Sequence, residues 1–334
     1  MLHPRGADQV EALAGGNIRQ VIEQVLSGKR VSRQKRVAKI KPIIRKTCKM
    51  ETDAQLETEF PYRLSAIDLD GTLLGPDKTI SEQNAAAVRR MNENGSQVII
   101  ASGRRHQNSI RFQRQLRLTG PIIACQGGLI RDGESGNVIE AHFLPQAVAR
   151  EIVEEAEKNR VQAIYYHLDH LFVPERNDRW IDLYESRVGE RAETLPDLRQ
   201  LDGRRALKIV WYGDPGILKR IRPTIALQYD GKVDVLSTES ENLEFMPRGI
   251  NKAAALEKVA REYSVLREQV LAFGDGENDV QMLEWAGMGV AMRHGNAAAI
   301  AAARMVSPPG PPETAFARAV DALFEKTAKN NQSV

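Results

Sequence analysis

Asp68 and Asp70 stand one residue apart in Ala66-Ile-Asp-Leu-Asp-Gly-Thr-Leu-Leu74, at the end of a short apolar run. If that run is a strand, its period of two points both carboxylates to one side. Gly71 then lets the backbone turn sharply and approach a ligand closely. Two acidic groups beside exposed backbone N–H groups suit a divalent cation and a phosphate. A carboxylate in that position can also act as a covalent nucleophile. By itself the pair is also compatible with plain turn chemistry, because Asp hydrogen-bonds its own backbone.

Three further features join it. The apolar run Gln97–Ala101 ends in Ser102-Gly103-Arg104. A hydroxyl followed by glycine at a strand end can meet a phosphate oxygen, or can simply cap the next helix. Lys252 follows Arg248-Gly249-Ile250-Asn251 at the start of a helix, where a cation opposes the helix dipole and calls for a nearby anion. The run Val270–Phe273 ends in Gly274-Asp275-Gly276-Glu277-Asn278-Asp279, a second acidic, glycine-rich loop. Asp275 is positioned there to complete a magnesium site, with Asn278 and Asp279 able to orient water, phosphate or Lys252. The ends of strands are where open α/β sheets place their ligands.

The elements that must carry these residues read as α/β from Leu64 onward. Strands are expected over 63–68, 97–101 and 121–125, with helices over 81–93 and 104–117. Leu129–Arg131 and Val138–Glu140 flank a turn and read as a hairpin. From about Leu144 the pattern changes to a separate α+β block. Its helices are expected over 145–158, 178–186 and 215–227. Its strands are expected over 163–167, 170–173, 207–211, 233–237 and 242–246. The α/β pattern resumes at Asn251, with helices over 253–263, 279–286, 296–303 and 314–324 and strands over 270–273 and 289–291. The expected organisation is a basic N-terminal extension (1–60), core (61–143), inserted cap (144–247), core again (248–326) and a C-terminal tail (327–334).

Composition narrows the class. Of 334 residues, 42% are hydrophobic and 27% charged, ordinary values for a globular enzyme. Cys48 and Cys125 are the only cysteines, which suits a reducing cytosol and argues against a disulfide framework. No apolar run approaches a membrane span. Residues 1–49 hold twelve Lys and Arg against three Asp and Glu, a net of +9; the remainder holds 35 against 41, a net of −6. The high isoelectric point therefore belongs to the tail, which reads as a solvated segment or as sequence preceding a start at Met50. A nucleic-acid or anionic-surface patch is the less favoured reading, because aromatic residues for base stacking are absent.

The order Asp68-Leu-Asp-Gly-Thr72, Ser102-Gly-Arg104, a lone Lys252 and Gly274-Asp-Gly-Glu-Asn-Asp279 resembles the haloacid dehalogenase superfamily of phosphohydrolases. The position of the inserted block, with Ile123–Ile130 and Gly289–Met292, is similar to its αβ-capped Cof-like branch. The resemblance runs from about Leu64 to Phe324 and implies a Rossmann-like parallel-sheet core with an α+β cap. It implies Asp68 as nucleophile forming an aspartyl-phosphate, and Asp70 as general acid and then base. Asp68, the backbone carbonyl of Asp70 and Asp275 would hold magnesium. Ser102 and Lys252 would bind the phosphoryl group together with backbone N–H groups from Leu69 to Gly71; Gly103 and Asn278 would contact phosphate, and Asp279 would support Lys252. Phosphoryl transfer needs this positioning and neutralisation of charge.

The implied partner is a small phosphate ester, such as a sugar phosphate, pyridoxal phosphate or flavin mononucleotide, handled in the cytoplasm without membrane or nucleic acid. A phosphomutase on the same scaffold, and a binding protein acting through its basic tail, are the competing readings. In the cap, His167 and Asp169, with His170 and Arg176, are the expected substrate contacts, although polar residues are also normal in turns. Two departures from the family pattern stand out: Arg293-His-Gly295 lengthens one loop, and Gln126 stands where Asn is common. Neither is expected to touch the four main motifs, and both could alter substrate contacts.

Overall fold

The computed structural model describes residues 60–175, 178–201 and 203–331. The readings made for the basic tail and for Arg176 lie outside these residues. The first stretch runs β1 (Leu64–Ile67), α1 (Glu82–Glu93), β2 (Gln97–Ala101), α2 (His106–Leu116), β3 (Ile122–Ala124), β4 (Leu129–Arg131) and β5 (Val138–Ala141). The middle runs α3 (Gln146–Asn159), β6 (Gln162–His167), β7 (His170–Val173), α4 (Arg179–Val188), β8 (Glu193–Thr194), β9 (Lys208–Tyr212), α5 (Pro215–Gln228), β10 (Val233–Leu236) and β11 (Asn242–Pro247). The last stretch runs α6 (Lys252–Glu262), β12 (Val270–Gly274), α7 (Val280–Trp285), β13 (Met288–Ala291), α8 (Ala297–Ala302), β14 (Met305–Val306) and α9 (Ala315–Asn331).

Two sheets result. The larger has the order β14-β13-β12-β1-β2-β3-β4-β5, parallel from β14 to β3 and closed by the antiparallel β4–β5 hairpin. β1 is buried along its whole length, as a central parallel strand covered on both faces must be. It pairs with β12 on one side and β2 on the other, in registers that bring Ile67 opposite both Phe273 and Ile100. The three strands therefore end level. The loops carrying Asp68, Ser102 and Asp275 emerge side by side, although their sequence positions are far apart.

The smaller sheet has the order β10-β11-β9-β6-β7-β8 and is antiparallel except for β7–β8. Alternation along its strands sorts its faces. Ala163, Tyr165, Ile209, Trp211, Leu243 and Phe245 pack into a core with Ile152 and Tyr229. Their neighbours Tyr166, Lys208, Val210, Tyr212 and Glu244 face the other way, into a cleft shared with the first sheet.

The structure also departs from the sequence-based expectation at several ends. The two-residue strands β8 and β14 were not anticipated, since two residues show no periodicity. α2 begins at His106, because Arg105 keeps an extended backbone at its N-cap. α9 continues past the expected end at Phe324 to Asn331. Its Phe324 stacks on Phe60 with ring centroids 4.4 Å apart, which anchors the entry to β1. Among the described residues no helix is long and apolar enough to cross a membrane.

Candidate active site

Lys252 lies at the centre of the site. Asn251 caps α6 by accepting from the Ala254 N–H at 2.9 Å, and this fixes Lys252 at the first turn. The lysine is 0% exposed, and its Nζ donates to Asp68 Oδ1 and to Asp279 Oδ1, each at 2.6 Å. The anion that its place on the helix called for is therefore present twice. Burial alone would depress the lysine; the charges of Asp279 and Asp68 outweigh it and hold the ammonium above its ordinary range.

Asp68, Asp275 and Asp279 each bring a carboxylate oxygen within 4.8 Å of the others. Three carboxylates thus share one lysine. Burial pushes the Asp68 carboxyl well above its usual range, and the charges of Asp279 and Asp275 add to the shift against Lys252. Burial also raises Asp275, with Asp279 repelling it, to about 6. Two acids held above their ordinary values, one buried and one half-buried, mark a place that lacks positive charge. A hard divalent cation with oxygen ligands fits that deficit.

The hydrogen bonds decide which acids could ligate it. Asp279 is committed on both oxygens, Oδ1 to Lys252 and Oδ2 to the N–H groups of Asp275 (3.0 Å) and Gly276 (2.9 Å). Asp275 Oδ1 accepts from Thr72 Oγ1 at 3.0 Å. Asp68 and Asp275 are thus held through Oδ1 alone in these bonds, to Lys252 and to Thr72. The two acidic loops meet closely at Gly71: with φ +79°, a Cβ there would lie 2.2 Å from Asp275 Oδ2. Only glycine permits both that backbone angle and that approach.

Asp70 does not join the three-carboxylate cluster. Its carboxylate is gripped by Arg104, from Nε at 2.5 Å and Nη2 at 2.6 Å, and by Lys78 at 2.8 Å. Burial works against this charge, yet the two cations outweigh it and hold Asp70 down at about 2. Asp70 lines the cleft beside Asp68, Ser102, Gly103, Asp275 and Asn278. Ser102 is buried, and its Oγ accepts from the Arg104 N–H at 3.2 Å. Leu69 is fully buried, and its carbonyl accepts from Leu74 N–H at 2.8 Å, which closes the turn.

The two departures from the family pattern reach the motifs in space. Gln126 Oε1 accepts from Asn278 Nδ2 at 2.9 Å, and its amide nitrogen lies 3.4 Å from Glu244 Oε2 of the cap sheet. Gln126 holds a left-handed backbone at φ +59°, a conformation that Asn tolerates better. In the longer loop, His294 Nε2 donates to the Gly71 carbonyl at 2.7 Å, and Asn296 N–H donates to the Asp275 carbonyl at 2.7 Å. Separation in sequence is therefore corrected to contact in the fold.

The expected cap contacts are placed elsewhere. Neither His167 nor Asp169 lines the cleft. His167 Nδ1 donates to the Arg205 carbonyl at 2.8 Å. Asp169 pairs with Arg131 at 2.8 Å and accepts from Gln107 at 2.6 Å, tying the β6–β7 hairpin to the larger sheet's side of the cleft. His170 pairs with Glu193 at 2.6 Å. A turn between hairpin strands carries polar residues wherever it points, so the turn alone could not say which way.

The cap wall is built instead from strand residues and from Arg187 of α4 with the loop between β10 and β11. Lys208 Nζ, almost fully buried, donates to Glu244 Oε2 at 2.7 Å and to the Gly103 carbonyl at 3.2 Å. Arg187 donates to Tyr212 Oη at 2.7 Å, to Glu239 at 2.6 Å and to Glu241 at 2.9 Å. The signal for two of these was in the sequence. Lys208 and Glu244 are lone charges in the apolar runs Lys208-Ile-Val-Trp-Tyr212 and Asn242-Leu-Glu-Phe-Met246. Charged residues are almost never fully buried unless paired. With the core residues they enclose a cleft of about 310 Å³.

Comparison with known proteins accords with this arrangement. Residues 65–311 match the family of haloacid dehalogenase-like hydrolases. The chain is 32% identical over 244 residues to the 5-amino-6-(5-phospho-D-ribitylamino)uracil phosphatase YitU of Bacillus subtilis, covering 72% of this chain and 89% of that protein. It is 30% identical over 249 residues to an HMP-PP phosphatase of Serratia proteamaculans, covering 71% and 85%. A haloacid dehalogenase-like hydrolase from Bacteroides thetaiotaomicron superposes with a TM-score of 0.68 at 28% identity, over 80% of this chain and 99% of that one. With the four motifs assembled at adjoining strand ends, the chain belongs to the haloacid dehalogenase-like hydrolases, as a phosphoric monoester hydrolase of the Cof-like branch.

Proposed function

We propose that this protein is a magnesium-dependent phosphatase of small phosphorylated metabolites, working through an aspartyl-phosphate on Asp68. The observation that carries the reading is the group of three carboxylates around one buried lysine, at the edge of a partly open cleft. Sugar phosphates, pyridoxal phosphate and flavin mononucleotide-like esters are the substrate classes; relatives named as phosphatases of 5-amino-6-(5-phospho-D-ribitylamino)uracil, of HMP-PP and of pyridoxal phosphate support that range.

Magnesium, held by Asp68, Asp275 and the Asp70 carbonyl, would supply charge that lets a carboxylate approach an anionic phosphate. Lys252 would shift from bridging Asp68 and Asp279 to binding a phosphoryl oxygen, joined by Ser102 and by N–H groups from Leu69 to Gly71. Gly103 and Asn278 would line the same phosphate, and Asp279 would keep Lys252 aimed. A carboxylate oxygen of Asp68 forms a bond to phosphorus as the ester bond breaks, and Asp70 gives its proton to the departing oxygen. Water then attacks phosphorus, its proton passes to Asp70, and the bond to Asp68 breaks.

Asp70 as it stands, held anionic by Arg104 and Lys78, suits the second half, where it takes a proton. The first half requires these two cations to turn toward the arriving phosphate, which returns Asp70 toward the usual carboxylate range. The test is phosphate release from a panel of esters with magnesium, with EDTA, and with Asp68→Asn. Magnesium-dependent release abolished by the substitution is expected. Release that survives Asp68→Asn would defeat the assignment of the nucleophile.

A further inference from the structure

We infer that the group esterified to the phosphate is uncharged and offers hydrogen-bond donors, hydroxyl or N–H, to the Lys208–Glu244 pair and its neighbours; this deepens, and rests on, the phosphatase reading. The charges lining the cleft carry the argument. On the core side, Lys78 and Arg104 are both engaged with Asp70, beside the place of the transferring phosphate. Among the described residues, two cations line the cap side. Arg187 faces Glu239 and Glu241, and Lys208 faces Glu244. Among the described residues, each cation lining the cap side has a carboxylate partner.

A second phosphate or a carboxylate on the substrate would have to take one of these cations from its partner. Releasing Lys208 would strand Glu244, whose side chain is 6% exposed, as a lone buried charge. Releasing Arg187 would set the new anion between two glutamates. An uncharged group meets neither obstacle. The carboxylates of Glu239 and Glu244 only accept hydrogen bonds, so they select donors. Thr238 already uses Glu244 in this way, donating to Oε1 at 3.1 Å. A donor on the substrate would enter the same set. The pair also touches the catalytic loop through Gly103, so a correct leaving group is sensed where the phosphate binds.

The experiment compares three compounds of one skeleton: a hexose monophosphate, the phosphorylated aldonic acid derived from it, and the hexose bisphosphate. Turnover by the full chain with magnesium, and the Kd of each compound for Asp68→Asn, are measured together. Each added anion is expected to lower kcat/KM and affinity by about tenfold or more, a like-charge penalty of the usual size. Glu244→Gln frees Lys208 and is expected to narrow that preference by about tenfold. Equal or tighter binding of the bisphosphate by the wild-type cleft would overturn the inference, and so would a preference untouched in folded Glu244→Gln. Should none of the esters turn over while Asp68→Asn still ranks them by charge, the phosphatase reading fails and the charge selection stands. Should p-nitrophenyl phosphate be hydrolysed but the bisphosphate be favoured, the reading stands and the selection fails.

Discussion

Among the described residues two lysines are buried against carboxylates, one in each sheet's territory, and they are built on opposite principles. Around Lys252 the charges do not balance: Asp68, Asp279 and the nearby Asp275 share a single ammonium. Around Lys208 they do balance, since one lysine meets one glutamate. Unbalanced charge is costly in a buried place and persists where a ligand is to complete it. Balanced charge is cheaper to keep and holds a shape. The first cluster is therefore suited to bind and react, the second to discriminate.

Substitutions at each lysine would break this contrast most severely. Lys252→Met leaves two acids buried without their cation. It should lower kcat by about 10²–10³, as loss of a phosphate-facing charge does, and cost about 3–5 kcal/mol of stability. Steady-state assay and urea unfolding measure the two effects. A variant that kept its turnover would show that the lysine only balances charge. Lys208→Met should cost a similar ~3–5 kcal/mol in stability, because Glu244 is left alone. Here the second partner matters. Lys208→Met with Glu244→Leu should recover most of that loss, since an apolar replacement of a balanced pair is often near neutral. The corresponding pair Lys252→Met with Asp68→Leu should not, because Asp279 remains stranded.

How much of this was legible follows from the same contrast. The core cluster announces itself, because its residues sit in glycine-rich loops at strand ends, where apolar runs stop abruptly. The cap pair does not, because Lys208 and Glu244 lie inside strands and only the pairing of β9 with β11 brings them together. Cross-strand register is a property of the folded sheet. The same holds for Gln126 and His294, whose partners are some 152 and 223 residues away. His167 ends β6 and Asp169 lies in the turn, as expected of a hairpin, but the face that the turn presents is set by docking.

A smaller effect is expected at Asp70. Arg104→Ala removes its bidentate partner, so its carboxyl should rise toward the ordinary range. A depressed acid stabilises the fold above its unfolded value and loses that contribution as pH falls through its folded one. The stability difference between wild type and Arg104→Ala should therefore be present at neutral pH and vanish as pH falls from about 4 to about 2. Acid unfolding followed by circular dichroism tests it. A gap that stayed constant with pH would assign Arg104 to packing. The smallest effect is Gln126→Asn. Asn suits the left-handed backbone better, for a gain of less than about 1 kcal/mol, yet its shorter side chain cannot span from Asn278 to Glu244. A rise in KM with little change in thermal midpoint is the expected pattern.

The hydrogen bond from Lys252 to Asp68 spans 184 residues, and β12 completes the sheet beside β1 only after the whole smaller sheet has been made. During synthesis the ribosome thus releases Asp68 and Asp70 first, and Lys252 with Asp275 and Asp279 much later, after a domain-sized detour. Contacts of such long range form late in folding. A chain that stops short of β12 carries Asp68 without Lys252's second partner Asp279 and without Asp275, so the cluster exists only once both stretches of the larger sheet have been made.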